Sequence, residues 1–146
     1  MVNDMKNPIL LQDSVAASGT SKNSQSIALV KARTMSLTCR LTCGAALNAD
    51  PTVQLYTSPD GEDWDTETYT DFDLAHTASA TIQRTALIDV PEDGYILANV
   101  LNNSAADTLE KVTLWYTLED YQTNAEVNEA LKTLIEQGSI LIKKAR

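Results

Sequence analysis

The sequence predicts an all-β fold, an antiparallel β-sandwich, and three observations predict it. Apolar and polar residues alternate strictly over residues 34–43, the period of a strand with one face buried. Turn-forming clusters, Ser58-Pro59-Asp60-Gly61, Val90-Pro91-Glu92-Asp93-Gly94 and Asn102-Asn103-Ser104, separate short apolar runs at the spacing of a sandwich. The period of two also persists as far as Leu118 and gives way to helical spacing only beyond Thr123. Seven or eight strands in a chain of 146 residues make one domain of immunoglobulin-like or jelly-roll type.

Residues 1–25 are rich in Ser, Asn, Asp and Lys, and Ile9, Leu10 and Leu11 are the strongly apolar run among them. They read as an extended arm with one anchoring strand, outside the core and ordered by a neighbour. The sandwich domain then covers residues 26–121. A weak alternation marks a strand at 26–30. In the next strand Met35, Leu37, Cys39, Leu41 and Cys43 face one way, and Thr34, Ser36, Thr38, Arg40 and Thr42 the other. Cys39 and Cys43 lie ~13 Å apart on such a strand, too far to bridge each other, and read as buried thiols, with intermolecular partners as the alternative.

The strand at 52–57 turns Val53, Leu55 and Thr57 to one face. Pro59 presets φ for the turn that follows, and Gly61 tolerates a positive φ on leaving it. Trp64, set among Glu62, Asp63, Asp65 and Glu67, is expected to fold back over the end of a sheet. Further strands are expected at 69–74, with Phe72 and Leu74 on one face, and at 81–89. There the apolar face shifts between Ile82 and Leu87, which predicts a bulge or an edge position. Strands at 95–101 (Ile96, Ala98, Val100) and 109–118 (Val112, Leu114, Tyr116, Leu118) close the sandwich.

Thr123 and Glu126 form a capping box. Val127, Leu131, Leu134 and Ile135 then recur at helical spacing as far as Gly138, a natural stop, and Lys143, Lys144 and Arg146 follow. Residues 122–146 therefore read as an amphipathic helix and tail, whose apolar face packs on its own sandwich or on another subunit.

Charge narrows the partners. The formal net charge is −9, which argues against nucleic-acid binding, because phosphate recognition needs clustered Lys and Arg. The acidic groups concentrate in the middle of the chain, between mildly basic ends, an arrangement suited to solubility or to ordered assembly. No apolar run reaches the ~20 residues of a membrane span, and the first residues carry no secretory pattern. The expectation is synthesis in a cytoplasm. Asn102-Asn103-Ser104 matches a glycosylation acceptor, a match without weight where no secretory signal is seen.

Catalytic patterns are not found. The five glycines form no phosphate-binding loop, and His76 is the sole histidine, so a nucleophilic triad would have to be built on a surface loop residue. No Cys and His grouping has zinc spacing. The acidic run from Asp60 to Glu67 lacks the spacing of a calcium loop. Tyr56, Trp64 and Tyr69 form a candidate aromatic platform for a sugar, beside their plainer role in packing. The expectation is a protein that is not an enzyme and carries no cofactor and no metal.

The run VQLYTSPDGEDWDTETYTDFDL, followed by IDVPEDGYILANVLNNSAADTLEKVTLWYTL, resembles small β-sandwich structural proteins of tailed bacteriophages. The shared features are a strand leading into an SPDG-x-x-WDT turn, a DVP-x-x-GYI strand entry, an asparagine turn and a final V-x-x-W strand, over residues 52–118. The resemblance implies a non-enzymatic virion component. A capsid decoration (cement) protein bound to the major capsid protein is the first expectation, with a homo-oligomer, a trimer by preference. The alternatives are a neck, tail or head-tail joining protein, and a carbohydrate-binding module built on Trp64. The residues expected to make contacts are Ile9, Leu10 and Leu11 in the arm, Trp64 in the turn, and Leu131, Leu134 and Ile135 in the helix.

Overall fold

A computed structural model of the chain describes residues 2–3, 7–120 and 132. Nine strands are found among them: β1 (Val2–Asn3), β2 (Leu10–Val15), β3 (Ile27–Val30), β4 (Ala32–Cys43), β5 (Thr52–Ser58), β6 (Thr70–Asp73), β7 (Thr81–Asp89), β8 (Asp93–Leu101) and β9 (Leu109–Asp120). They form two antiparallel sheets. The first runs β2-β9-β4-β7, with β1 continuing the β2 side of β9, and the second runs β3-β8-β5-β6. Each sheet is thus four strands wide. The pairs nest: β5 with β6, β4 with β7, β3 with β8 and β2 with β9.

The core lies between the two sheets and follows the period-two pattern. From β4 it takes Met35, Leu37, Cys39, Leu41 and Cys43, and from β5 Val53 and Leu55. From β8 and β9 it takes Ile96, Ala98, Val100, Val112 and Leu114. Burial pushes the Cys39 thiol up to about 12, because a low-dielectric interior disfavours the thiolate. Both cysteines are free and buried, as expected of side chains behaving as small apolar groups.

The largest correction concerns the N-terminal arm. Residues 9–25 are not separate from the sandwich. β2 pairs with β9 from Leu10↔Leu114 to Val15↔Leu109, and Ile9, Leu10 and Val15 belong to the core. After a tight turn at Ser18 and Gly19, the chain crosses to the second sheet and runs along β8. Ser21 and Ser24 donate their backbone N–H groups to the Val100 and Ala98 carbonyls at 2.8 and 2.7 Å. Their hydroxyls accept the N–H groups of the same two residues at 2.8 and 2.9 Å. Serine side chains thus satisfy a stretch of ladder where the strand geometry is broken.

β7 is an edge strand, one of the two expectations for that segment, and its register with β4 is unbroken from Thr34↔Asp89 to Thr42↔Thr81. Ile82 and Ile88 pack toward the core, while Leu87, out of phase, is 74% exposed on the opposite face. Where the edges β6 and β7 face each other, Arg84 bridges them. Its guanidinium donates to the Asp73 carbonyl at 2.6 Å and lies over the Phe72 ring, 5.4 Å from the centroid. The expected C-terminal helix, with Leu131, Leu134 and Ile135, lies outside the described residues.

Candidate functional site

The site is built by the turn after β5. Ser58 Oγ accepts from the Gly61 N–H at 2.9 Å and donates to Asp60 Oδ1 at 3.0 Å. Asp60 Oδ1 in turn accepts from the Glu62 and Asp63 N–H groups, both at 2.9 Å. These backbone donors, Asp63 first, hold the Asp60 carboxyl below its usual range. Gly61 takes φ +80°, as the sequence predicts. Gly94 backs the turn at φ +101°, and a Cβ there would stand 2.8 Å from the Ser58 carbonyl oxygen.

The chain then returns to the strand it left. The Asp65 N–H donates to the Thr57 carbonyl at 3.0 Å, and Thr57 Oγ1 donates to Asp65 Oδ2 at 2.9 Å. This closure sets Trp64 beside the outer face of the second sheet, rather than over its end as the sequence suggests. There Tyr56 stands opposite Leu97, and Gln54 opposite Asn99. Trp64, Tyr56, Asp65, Leu97, Asn99 and Asn23 line a cleft of about 210 Å³. Trp64 and Tyr56 are both half-buried.

Asn99 is the unusual member. It is 7% exposed, and its Nδ2 donates to Asn23 Oδ1 at 3.1 Å. The other end of the amide, Oδ1, is buried without a hydrogen-bond partner, the single such side-chain atom among the described residues. An unmet buried acceptor costs ~1–3 kcal/mol, so it calls for a physical reason. Asn102, on the same strand's exit, shows the usual arrangement. Its Nδ2 faces the Val15, Ala16 and Asp107 carbonyls, and its Oδ1 accepts from Ser104 N–H. At 1% exposure it is a tie between β2 and the β8–β9 turn.

Of the residues expected to make contacts, Ile9 and Leu10 are core residues and Leu11 is 59% exposed on the outer face of the first sheet. Trp64 lines the cleft, and the helix residues lie outside the described ones. The aromatic trio divides. Tyr56 and Trp64 meet, while Tyr69 lines an adjoining groove with Thr57, Asp65 and Glu67 and donates its hydroxyl to the Asp89 carbonyl at 2.8 Å. Sequence reasoning missed Asn23 and Asn99. The alternation of β8 turns Asn99 away from the core, and nothing local signals that it is buried there or shares a cleft with Asn23 and Trp64.

Elsewhere, His76 Nδ1 lies 2.5 Å from Asp50 Oδ1, which also accepts the His76 N–H at 3.0 Å. That backbone bond, then the ring contact, lowers the Asp50 carboxyl. Among the described residues no three His, Cys, Asp or Glu side chains gather as metal ligands. No family model matches the chain, and no curated protein matches it.

Proposed function

We propose that the protein is a non-enzymatic structural component of a tailed-phage virion, a decoration (cement) protein on the outer shell. The observation that supports this reading is the use made of the motif residues that carry the resemblance to phage sandwich proteins. Ser58, Asp60 and Gly61 close one turn, Gly94 backs it, and Asn102 ties the next to β2. Val112 enters the core, and Trp115 lies on the outer face of the first sheet under the Arg40 guanidinium. Residues with such roles describe a scaffold. The nested pairing of eight strands is the winding of a jelly roll, an architecture common among viral shell proteins, and it favours that topology over the immunoglobulin-like one.

Cement proteins hold a shell through many weak contacts made strong by symmetry. The partner is then the major capsid protein, the location the virion, and the assembly a homo-oligomer, by preference a trimer on threefold sites. The segment 122–146, with apolar residues at helical spacing and a basic end in its sequence, is the candidate for these contacts. The test is co-sedimentation of the purified chain with phage shells, completed heads and isolated tails, beside light scattering of the free protein. Saturable binding to shells, weakened by truncation after Tyr121, is the expected result. Binding confined to necks or tails would move the protein to the joining class. Binding to none of the three would refute a virion role.

A further inference from the structure

We propose that the cleft between Trp64 and Asn99 binds one ring of a neutral hexopyranose, free or as part of a glycan. Two independent observations point to a ligand. Trp64 and Tyr56 leave part of their rings open to a cleft with the volume of a single ring, about 210 Å³. Asn99 lines the same cleft, and its amide Oδ1 is buried without a partner.

A pyranose matches this pairing. Its C–H face stacks on an aromatic ring, and its hydroxyls donate to amide and carboxylate oxygens. Asn99 Oδ1 is an acceptor in need of a donor, and Asp65, exposed on the rim, offers a second. Because Oδ1 is buried, a lining side chain has to give way before a hydroxyl reaches it. Trp64, half-buried in a mostly exposed turn and lining the same cleft, is the side chain we assign to that movement. A purely apolar ligand would leave the amide unmet, as it is now.

Charge selects among sugars. Asp60, Glu62, Asp63, Asp65 and Glu67 surround Trp64 in the turn. Carboxylates at this density repel uronic and sialic acids and accept neutral rings. The inference holds whatever particle the protein belongs to, and its failure would leave shell binding untouched.

The test titrates the full chain with the methyl glycosides of glucose, galactose, mannose and N-acetylglucosamine, with methyl glucuronide as the anionic control. Saturation-transfer NMR and tryptophan fluorescence report binding. At least one neutral glycoside should saturate below about 50 mM, since a ligand of this size binds with a Kd of about 1 mM. The glucuronide should bind at least ~10-fold more weakly if the turn's charge acts. Asn99→Leu, which removes the amide but keeps the volume, should weaken binding ~10-fold or more. Trp64→Phe should weaken it less than Trp64→Ala, and Asn23→Ala serves if Trp64→Ala fails to fold. Absence of saturation by all four neutral glycosides overturns the proposal. Binding unchanged in both Asn99→Leu and Trp64→Phe overturns it too, and equal binding of the glucuronide overturns the charge selection.

Discussion

Leu10 and Leu11 are neighbours in sequence with opposite fates, and exchanging each for alanine tests whether β2 belongs to the fold. Leu10 is 2% exposed within the core, and Leu11 is 59% exposed on the outer face. A core leucine reduced to alanine costs ~2–5 kcal/mol, the transfer loss plus the cavity left behind. At a urea m-value of ~2 kcal/mol/M, Leu10→Ala should lower the unfolding midpoint by ~1–2.5 M. Leu11→Ala should move it by no more than ~0.25 M, because exposed substitutions stay within about 0.5 kcal/mol. Deleting residues 1–22 removes Ile9, Leu10 and Val15 together and strips one side of β9. Each of these side chains is worth ~1.5–3 kcal/mol by burial, against a total stability of ~5–15 kcal/mol. The truncated chain should therefore lose its cooperative urea transition, or keep a remnant at low midpoint. Far-UV circular dichroism through the titration reads all three variants. A truncated chain with the midpoint and slope of the full one would refute the reasoning, and residues 1–22 would then be an accessory arm.

Two more predictions rest on the turns. Gly94→Ala should cost ~1–3 kcal/mol, because a side chain at φ +101° is strained and its Cβ would press on the Ser58 carbonyl; an unchanged midpoint would remove that argument. Asp50, Asp60 and Asp107 all have carboxyls lowered from the ordinary value of 3.8, mainly by backbone N–H donors. A folded pKa below the unfolded one gives stability that is present above the unfolded value and is lost as pH falls through the folded one. The urea midpoint should accordingly drop on acidification below the 3.8 region, and the Asp50→Asn, Asp60→Asn, Asp107→Asn triple variant should show a shallower drop. Identical pH profiles for the two proteins would count against these bonds.

What the sequence revealed depended on how local the cause was. The five alternating apolar residues of β4 are all core residues, since a strand buried on one face writes its register into its own pattern. The Ser58-to-Gly61 turn was legible for the same reason, since Pro, Asp and Gly each carry a local φ preference. β2 was legible only as the anchoring strand of an arm. It is an edge strand with one face outward, and its core side chains Leu10 and Val15 are separated by Leu11, Gln12, Asp13 and Ser14, so composition does not mark it as part of the core. Ser21 and Ser24 were illegible because a hydroxyl that replaces a backbone acceptor looks like any surface serine. The cleft was half legible. Trp64 and Tyr56 announced themselves as aromatics beside a turn, whereas Asn23 and Asn99 join them only through pairing across most of the chain.

The nested pairing has a kinetic consequence. The innermost hairpin, β5 with β6, closes a short loop, while Leu10 and Leu114 meet across roughly a hundred residues, and loop-closure entropy must be met before so distant a contact stabilises anything. That cost favours assembly from the inner pair outward, with β2 and β9 expected to dock last. During synthesis β2 emerges early and has no partner until β9 leaves the ribosome. Through that interval Ile9, Leu10 and Val15 are uncovered, as is the β4 edge that β9 will occupy. An unpaired edge beside a waiting apolar strand is a place where two nascent chains can exchange strands. Copies emerging side by side on one message are where such an exchange is expected first.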